Sequence, residues 1–150
     1  MVDHDFKNYP ELLNSEMAEL EFISPHPQIK EDFRATVVKV HDGDTITLRT
    51  SVRDFTFPLR FLAIDSKELN EGGEAARDWL KTRLLNSEVT IKIDGSNRVD
   101  KYGRLLGKVL SNGLDVGQEE LDLGYAVPFA QRDEGKIDNL NKTFNIDKWL

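Results

Sequence analysis

The 150-residue sequence predicts an α+β domain, mainly β, with an N-terminal helical arm. Three observations predict it. Five stretches carry alternating or continuous apolar residues of strand length, near 34–41, 44–50, 55–64, 88–94 and 105–110. Two stretches with helical spacing are inserted, 73–86 after the third strand and 115–123 after the fifth. Residues 1–33 differ from the rest in composition and read as a separate arm, leaving 34–150 as the main domain.

The arm comes first. Pro10 suits the first turn of a helix, and Leu13, Met17 and Leu20 then make one apolar stripe, with Phe6 in the preceding turn. So short a helix is marginal alone and needs its stripe covered, either by its own domain or by another chain. Ser24-Pro25-His26-Pro27 reads as a stiff extended connection. In the main domain, Asp42-Gly43 lies between the first two strands and signals a hairpin. The helix near 73–86 presents Ala76, Trp79, Leu80, Arg83 and Leu84 on one face, and Gly124 closes the helix near 115–123 as its C-cap. Ile137, Leu140, Phe144 and Trp149 suggest a last helical turn or two packed on the domain. Five strands with helices after the third and fifth are compatible with a small closed barrel of the OB type.

Composition bounds the rest. With 39% hydrophobic and 31% charged residues the chain is expected to be globular, and no apolar run approaches the ~20 residues of a membrane span. No signal peptide is visible, so an intracellular location is expected, membership of an assembled particle being left open. The absence of cysteine excludes disulfides, thiolate metal sites and a cysteine nucleophile. The three histidines are scattered, and neither nucleotide-binding glycine motif is present. The net charge is −7, of which residues 1–33 carry −6 (eight acids, two lysines). Any basic surface for nucleic acid must therefore be local.

Two groups of residues carry candidate chemistry. If the first three strands are neighbours, Asp44 and Asp65 approach one another at a sheet rim, with Arg60 on the strand leading there. Two carboxylates suit a hard divalent cation, with the Ser66 carbonyl as a third oxygen and Glu68 as a water-mediated fourth. Asp42 is either the turn residue or, with Thr45, an outer partner of the metal ligands. Asp-Gly-Asp also makes plain hairpin turns, and Arg60 also fits a structural ion pair. The second group is the loop Asn97-Arg98-Val99-Asp100-Lys101-Tyr102-Gly103-Arg104, whose cations and tyrosine suit phosphate recognition or a solvated loop.

Thr-Val-Val-Lys-Val-His-Asp-Gly-Asp-Thr, Leu-Arg-Phe-Leu-Ala-Ile-Asp-Ser-Lys-Glu and Arg-Val-Asp-Lys-Tyr-Gly-Arg, in this order, resemble the staphylococcal nuclease (thermonuclease) family over roughly residues 34–127. The resemblance implies a five-stranded OB-fold barrel with helices and a calcium-dependent nuclease acting on DNA or RNA. It implies Asp44, Asp65 and the Ser66 carbonyl as Ca²⁺ ligands, and Glu68 as the group that orients or deprotonates the attacking water. Arg60 and Arg104 would clamp the phosphate, and Lys101 and Tyr102 would hold its neighbour. The chain departs from the family pattern at Lys67, where proline is usual, and in a short loop after Glu68. Phe129 is the candidate stand-in for a base-stacking tyrosine, the last helix is abbreviated, and the acidic arm has no counterpart. The arm motivates a second reading: a docking subunit of a larger, virus-particle-like assembly, bound to a neighbour through residues 1–33. It equally suits a third, in which the arm covers and inhibits the site.

Overall fold

The computed structural model describes residues 3–66 and 73–129. A five-stranded barrel forms from β1 (Phe33–Val40), β2 (Thr45–Arg49), β3 (Phe57–Phe61), β5 (Glu88–Lys92) and β6 (Leu105–Ser111). β1 pairs with β2 through Thr36–Val40 and with β5 through Phe33–Thr36, so one long strand serves two neighbours. β2 pairs with β3 and β5 with β6, all antiparallel, and a parallel β3–β6 pairing closes the barrel. Alternation fills it: Val37, Ile46, Leu48, Leu59, Ile91, Leu105 and Val109 are fully buried. Gly107 is required at the closing seam, because a Cβ there would stand 2.6 Å from Ile91. This is the OB-type α+β fold expected from the sequence.

The third strand is shorter than the apolar run 55–64 suggests. It breaks after Phe61 because Ala63 takes a left-handed conformation, φ 68°. The bend sends Ile64–Ser66 out of the barrel as β4, which pairs antiparallel with β8 (Ala126–Pro128). α2 (Gly73–Leu84) buries Ala76, Leu80 and Leu84 against the barrel and ends before Asn86, also left-handed, φ 67°. α3 (Val116–Asp122) follows the short β7 (Leu114–Asp115), is capped by the Asp115 side chain, and is closed by Gly124, φ 80°. Among the described residues no helix is long and apolar enough to cross a membrane. The apolar residues expected to form a final helical turn, Ile137 to Trp149, lie outside the described residues.

The arm packs on its own barrel, burying Leu20 as expected but starting its apolar contact at Leu12 in place of Leu13. α1 is only Asn14–Leu20, because Glu16 turns back to accept from the Leu13 N–H at 2.9 Å. Leu12, not Leu13, is therefore the fully buried anchor, joined by Leu20 and Ile29, while Leu13 stays 40% exposed. A buried ion pair locks the arm: both Arg53 terminal nitrogens meet the Glu11 carboxylate, at 2.6 and 2.8 Å. The Arg53 guanidinium lies over Phe55 and Phe57, 5.2 and 4.6 Å from their centroids. Arg98 completes the clamp, donating to the Ile29 and Leu12 carbonyls at 2.7 and 3.1 Å and to Asn14.

Removing one partner from a buried pair strands the other's charge. Glu11→Ala is expected to lower unfolding free energy by about 3–5 kcal/mol, read from urea titration, whereas Arg34→Ala, at the exposed pair with Glu88, should leave the midpoint in place.

Candidate active site

β2 and β3 build the site by register. Thr45 lies opposite Arg60, so Asp44, one residue earlier, stands beside the guanidinium, and its carbonyl accepts from the Phe61 N–H at 2.8 Å. The bend at Ala63 then returns β4 to the same point. Arg60 Nη2 reaches Asp44 Oδ2 at 3.4 Å and Asp65 Oδ1 at 3.2 Å, while Nη1 donates to the carbonyls of Phe61 and Ile64, both at 3.1 Å. Ser66 donates to Asp44 Oδ2 from its backbone N–H at 2.9 Å and its hydroxyl at 3.1 Å. Thr45 Oγ1 donates to Asp44 Oδ1 at 3.0 Å, and the Asp44 N–H donates to Asp42 Oδ1 at 3.0 Å. Gly43 makes this closeness possible: a Cβ there would come within 2.7 Å of Ser66 and 3.0 Å of Ala76.

Asp42, Asp44, Thr45, Arg60, Asp65 and Ser66 are thus one cluster. Phe129 sits against it, its ring 5.3 Å from the Arg60 guanidinium carbon and its side chain open to solvent. Glu68 and Lys67 lie outside the described residues.

The second group divides. Lys101, Tyr102 and Arg104 remain at the surface, the Tyr102 ring lying 5.3 Å from Lys101 Nζ and 5.4 Å from the Arg104 guanidinium carbon. The turn holding them is tied by Asp100, which accepts from the Tyr102 and Arg104 N–H groups and, at 2.8 Å, from Arg104 Nε. The terminal nitrogens of Arg104 make no hydrogen bond among the described residues. Arg98 faces the other way, buried beneath the arm, and is not available to a phosphate. Arg60 is level with Leu106 on the parallel neighbour, and Arg104 lies two residues before Leu106, just ahead of that strand.

Electrostatics makes this rim acid-rich. Burial and the adjoining Asp44 push the Asp42 carboxyl up to about 6. Burial opposes ionisation of Asp44 too, but hydrogen bonds from the Asp42 side chain and the Ser66 N–H, with the Arg60 charge, hold it below the usual carboxylate range. A further acid reaches this field from α3. Glu120 is fully buried, neither carboxyl oxygen has a partner among the described residues, and burial with the charges of Asp44 and Asp42 raises it to about 9. Sequence reasoning missed it. Its signal is helical spacing: Glu120 falls four residues after buried Val116, on the face α3 turns inward.

Asp44 and Asp65, with Asp42 beside them, bring hard oxygen donors together at this rim, the donor type that suits a hard divalent cation. Asp44 and Asp65 would supply the carboxylates. Among the described residues no group of three or more His, Cys, Asp or Glu side chains is arranged to hold a metal ion.

Between the ordinary glutamate value, near 4.3, and about 9, folded Glu120 keeps a proton that the unfolded chain releases. The folded state then binds more protons, so stability falls as pH rises through that window. Glu120→Gln is expected to exceed the native chain in unfolding free energy at pH 8 by more than about 1.4 kcal/mol, one pKa unit's worth. Urea titration should find the gap closed near pH 4, where both side chains are neutral.

Comparison with known proteins matches residues 58–146 to the family described as staphylococcal nuclease homologue. The chain is 34% identical over 133 residues to endonuclease YhcR of Bacillus subtilis (strain 168), covering 77% of this chain and 11% of that protein. It is 31% identical over 112 residues to an uncharacterized endonuclease of Escherichia coli O157:H7, covering 73% of this chain and 70% of that protein. It is 37% identical over 79 residues to the micrococcal nuclease of Shigella flexneri, covering 52% and 42%. The chain thus spans about a tenth of YhcR and less than half of the Shigella protein. With more than half of its length matched by the family model, and with a closed five-stranded barrel carrying an acid-rich rim, this chain belongs to the staphylococcal nuclease homologue family.

Proposed function

We propose that this protein is a divalent-cation-dependent nuclease, with Ca²⁺ as the cation, that hydrolyses phosphodiester bonds of DNA or RNA by attack of water. The observation that carries the reading is the Arg60 guanidinium 3.4 Å from Asp44 and 3.2 Å from Asp65, with Arg104 just ahead of the strand that pairs with Arg60. In-line attack on a phosphodiester builds negative charge on the equatorial oxygens of phosphorus. Fixed cations opposing that charge, where water is scarce, are worth several kcal/mol. Arg60 is prepositioned for this by two backbone carbonyls and two carboxylates, so its orientation costs nothing at the moment of reaction. Arg104, held through Nε by Asp100, keeps its terminal nitrogens for the same phosphate from the other side.

Asp44 and Asp65 would hold the cation, with the Ser66 carbonyl completing the protein ligands, while Asp42 and Thr45 brace Asp44. When bound, such an ion supplies Lewis-acid polarisation of a phosphoryl oxygen. Glu68 takes the proton of the attacking water in this scheme, Lys101 and Tyr102 receive the adjacent phosphate, and no covalent nucleophile is required. The relatives named as endonucleases support internal cleavage.

Glu68→Gln and Arg104→Ala are each expected to lower turnover on single-stranded DNA, duplex DNA or RNA by more than ~10², the scale for one transition-state contact. Circular dichroism should stay native, and a chelator should abolish cleavage by the unaltered chain. Near-normal cutting by both variants would remove the assignment.

A further inference from the structure

The arm and the tyrosine-bearing turn enclose a groove of about 760 Å³. The arm residues Phe6 to Glu11 line one side, the 54–58 segment forms part of the lining, and Tyr102 to Leu105 stand opposite. Arg104 and Tyr102 belong both to this groove and to the candidate active site. We propose that the groove is a subsite for single-stranded nucleic acid, in which Tyr9 and Lys7 take the base and backbone of a nucleotide lying beyond the scissile phosphate. This rests on the phosphodiesterase reading for its orientation along the substrate.

Four features support it. Tyr9 and Tyr102 are 52% and 64% exposed, so both leave ring surface open to solvent where they line the groove. Stacked aromatics that accept any unpaired base are the common device for binding single strands, whereas bases in a duplex have no free face to offer. The wall is built before any ligand arrives. Gly103, φ 87°, lets the Tyr9 ring lie so close that a Cβ would stand 3.2 Å from it, and the Pro10 carbonyl accepts from His26 and Gln28, both at 2.9 Å. Little ordering is then needed on binding. Finally, the charge of the groove is not the charge of the arm. Of the arm's acids only Glu11 lines it, and Arg53 neutralises that one; the other charged lining residues are Lys7, Asp54 and Arg104, whose Nε is paired with Asp100.

The test uses the full chain with chelator present, so that nothing is cut. Fluorescence anisotropy measures affinity for a thymidine dinucleotide and for an oligothymidylate of about ten nucleotides, in the native chain and in Lys7→Ala/Tyr9→Ala. Both side chains are exposed, so the urea midpoint should not move. The native chain is expected to gain affinity with length, and the variant to lose ~10-fold of that gain, the scale of one stacked base with a phosphate contact. An unchanged gain, an equal loss for both ligands, no binding by the native chain, or tighter binding by the variant would each overturn the proposal, the last in favour of an arm that covers the site. Length-dependent binding without cleavage once Ca²⁺ is restored would instead keep the groove and refute the phosphodiesterase reading.

Discussion

A single guanidinium ties together the pieces of chain on which the rest of the site depends. Arg60 reaches Asp44 at the start of β2, Asp65 on β4, and the carbonyls of Phe61 and Ile64 that bracket the bend between β3 and β4. With its side chain only 11% exposed it could not stand there alone, since a largely buried charge needs partners. The partners are themselves carboxylates that would repel one another without it. The constraint is therefore mutual. Left-handed Ala63 is what makes the geometry available, because a straight continuation of β3 would carry Asp65 away from Asp44.

The same economy of cations explains the arm. Residues 1–33 carry −6 of the chain's net charge of −7, yet two arginines of the main domain, Arg53 and Arg98, are spent inside the contact to hold it. Their partners are a carboxylate in one case and backbone carbonyls in the other, so the arm is registered to the barrel rather than merely attracted to it. Of the apolar stripe read from sequence, Leu20 is buried on the chain's own barrel beside Leu12, while Leu13 stays exposed. What the arm then presents outward beside Tyr102 is a wall of Phe6, Lys7 and Tyr9.

Much of this was legible residue by residue. Alternation located the barrel strands, and Asp42-Gly43 located the hairpin that delivers Asp44. Arg60 stood out as a charge within an apolar strand and required partners, which are Asp44 and Asp65. Other readings failed for definite reasons. Arg98 was grouped with Lys101, Tyr102 and Arg104 because proximity in sequence does not reveal which way a loop side chain turns; it turns under the arm. The arm stripe was set one residue late at its start because the Glu16 cap delays the helix until Asn14. Glu120 was passed over because a glutamate on a short helix ordinarily faces water.

The sequence by itself determined the five barrel strands, the helices inserted after the third and fifth, the barrel type and most of the polar residues from which a site is made, because periodicity and turn chemistry are local properties. The short β4, β7 and β8 came only with the structure. Only the tertiary structure decided which of those polar groups share a field. Asp42 and Asp44 of one turn, Asp65 of β4 and Glu120 of α3 come from three separate segments, and their mutual influence depends on the β2–β3 register, the bend at Ala63 and the face that α3 turns inward. Charge interactions act through space at distances set by packing, and no pattern along the chain encodes those distances directly.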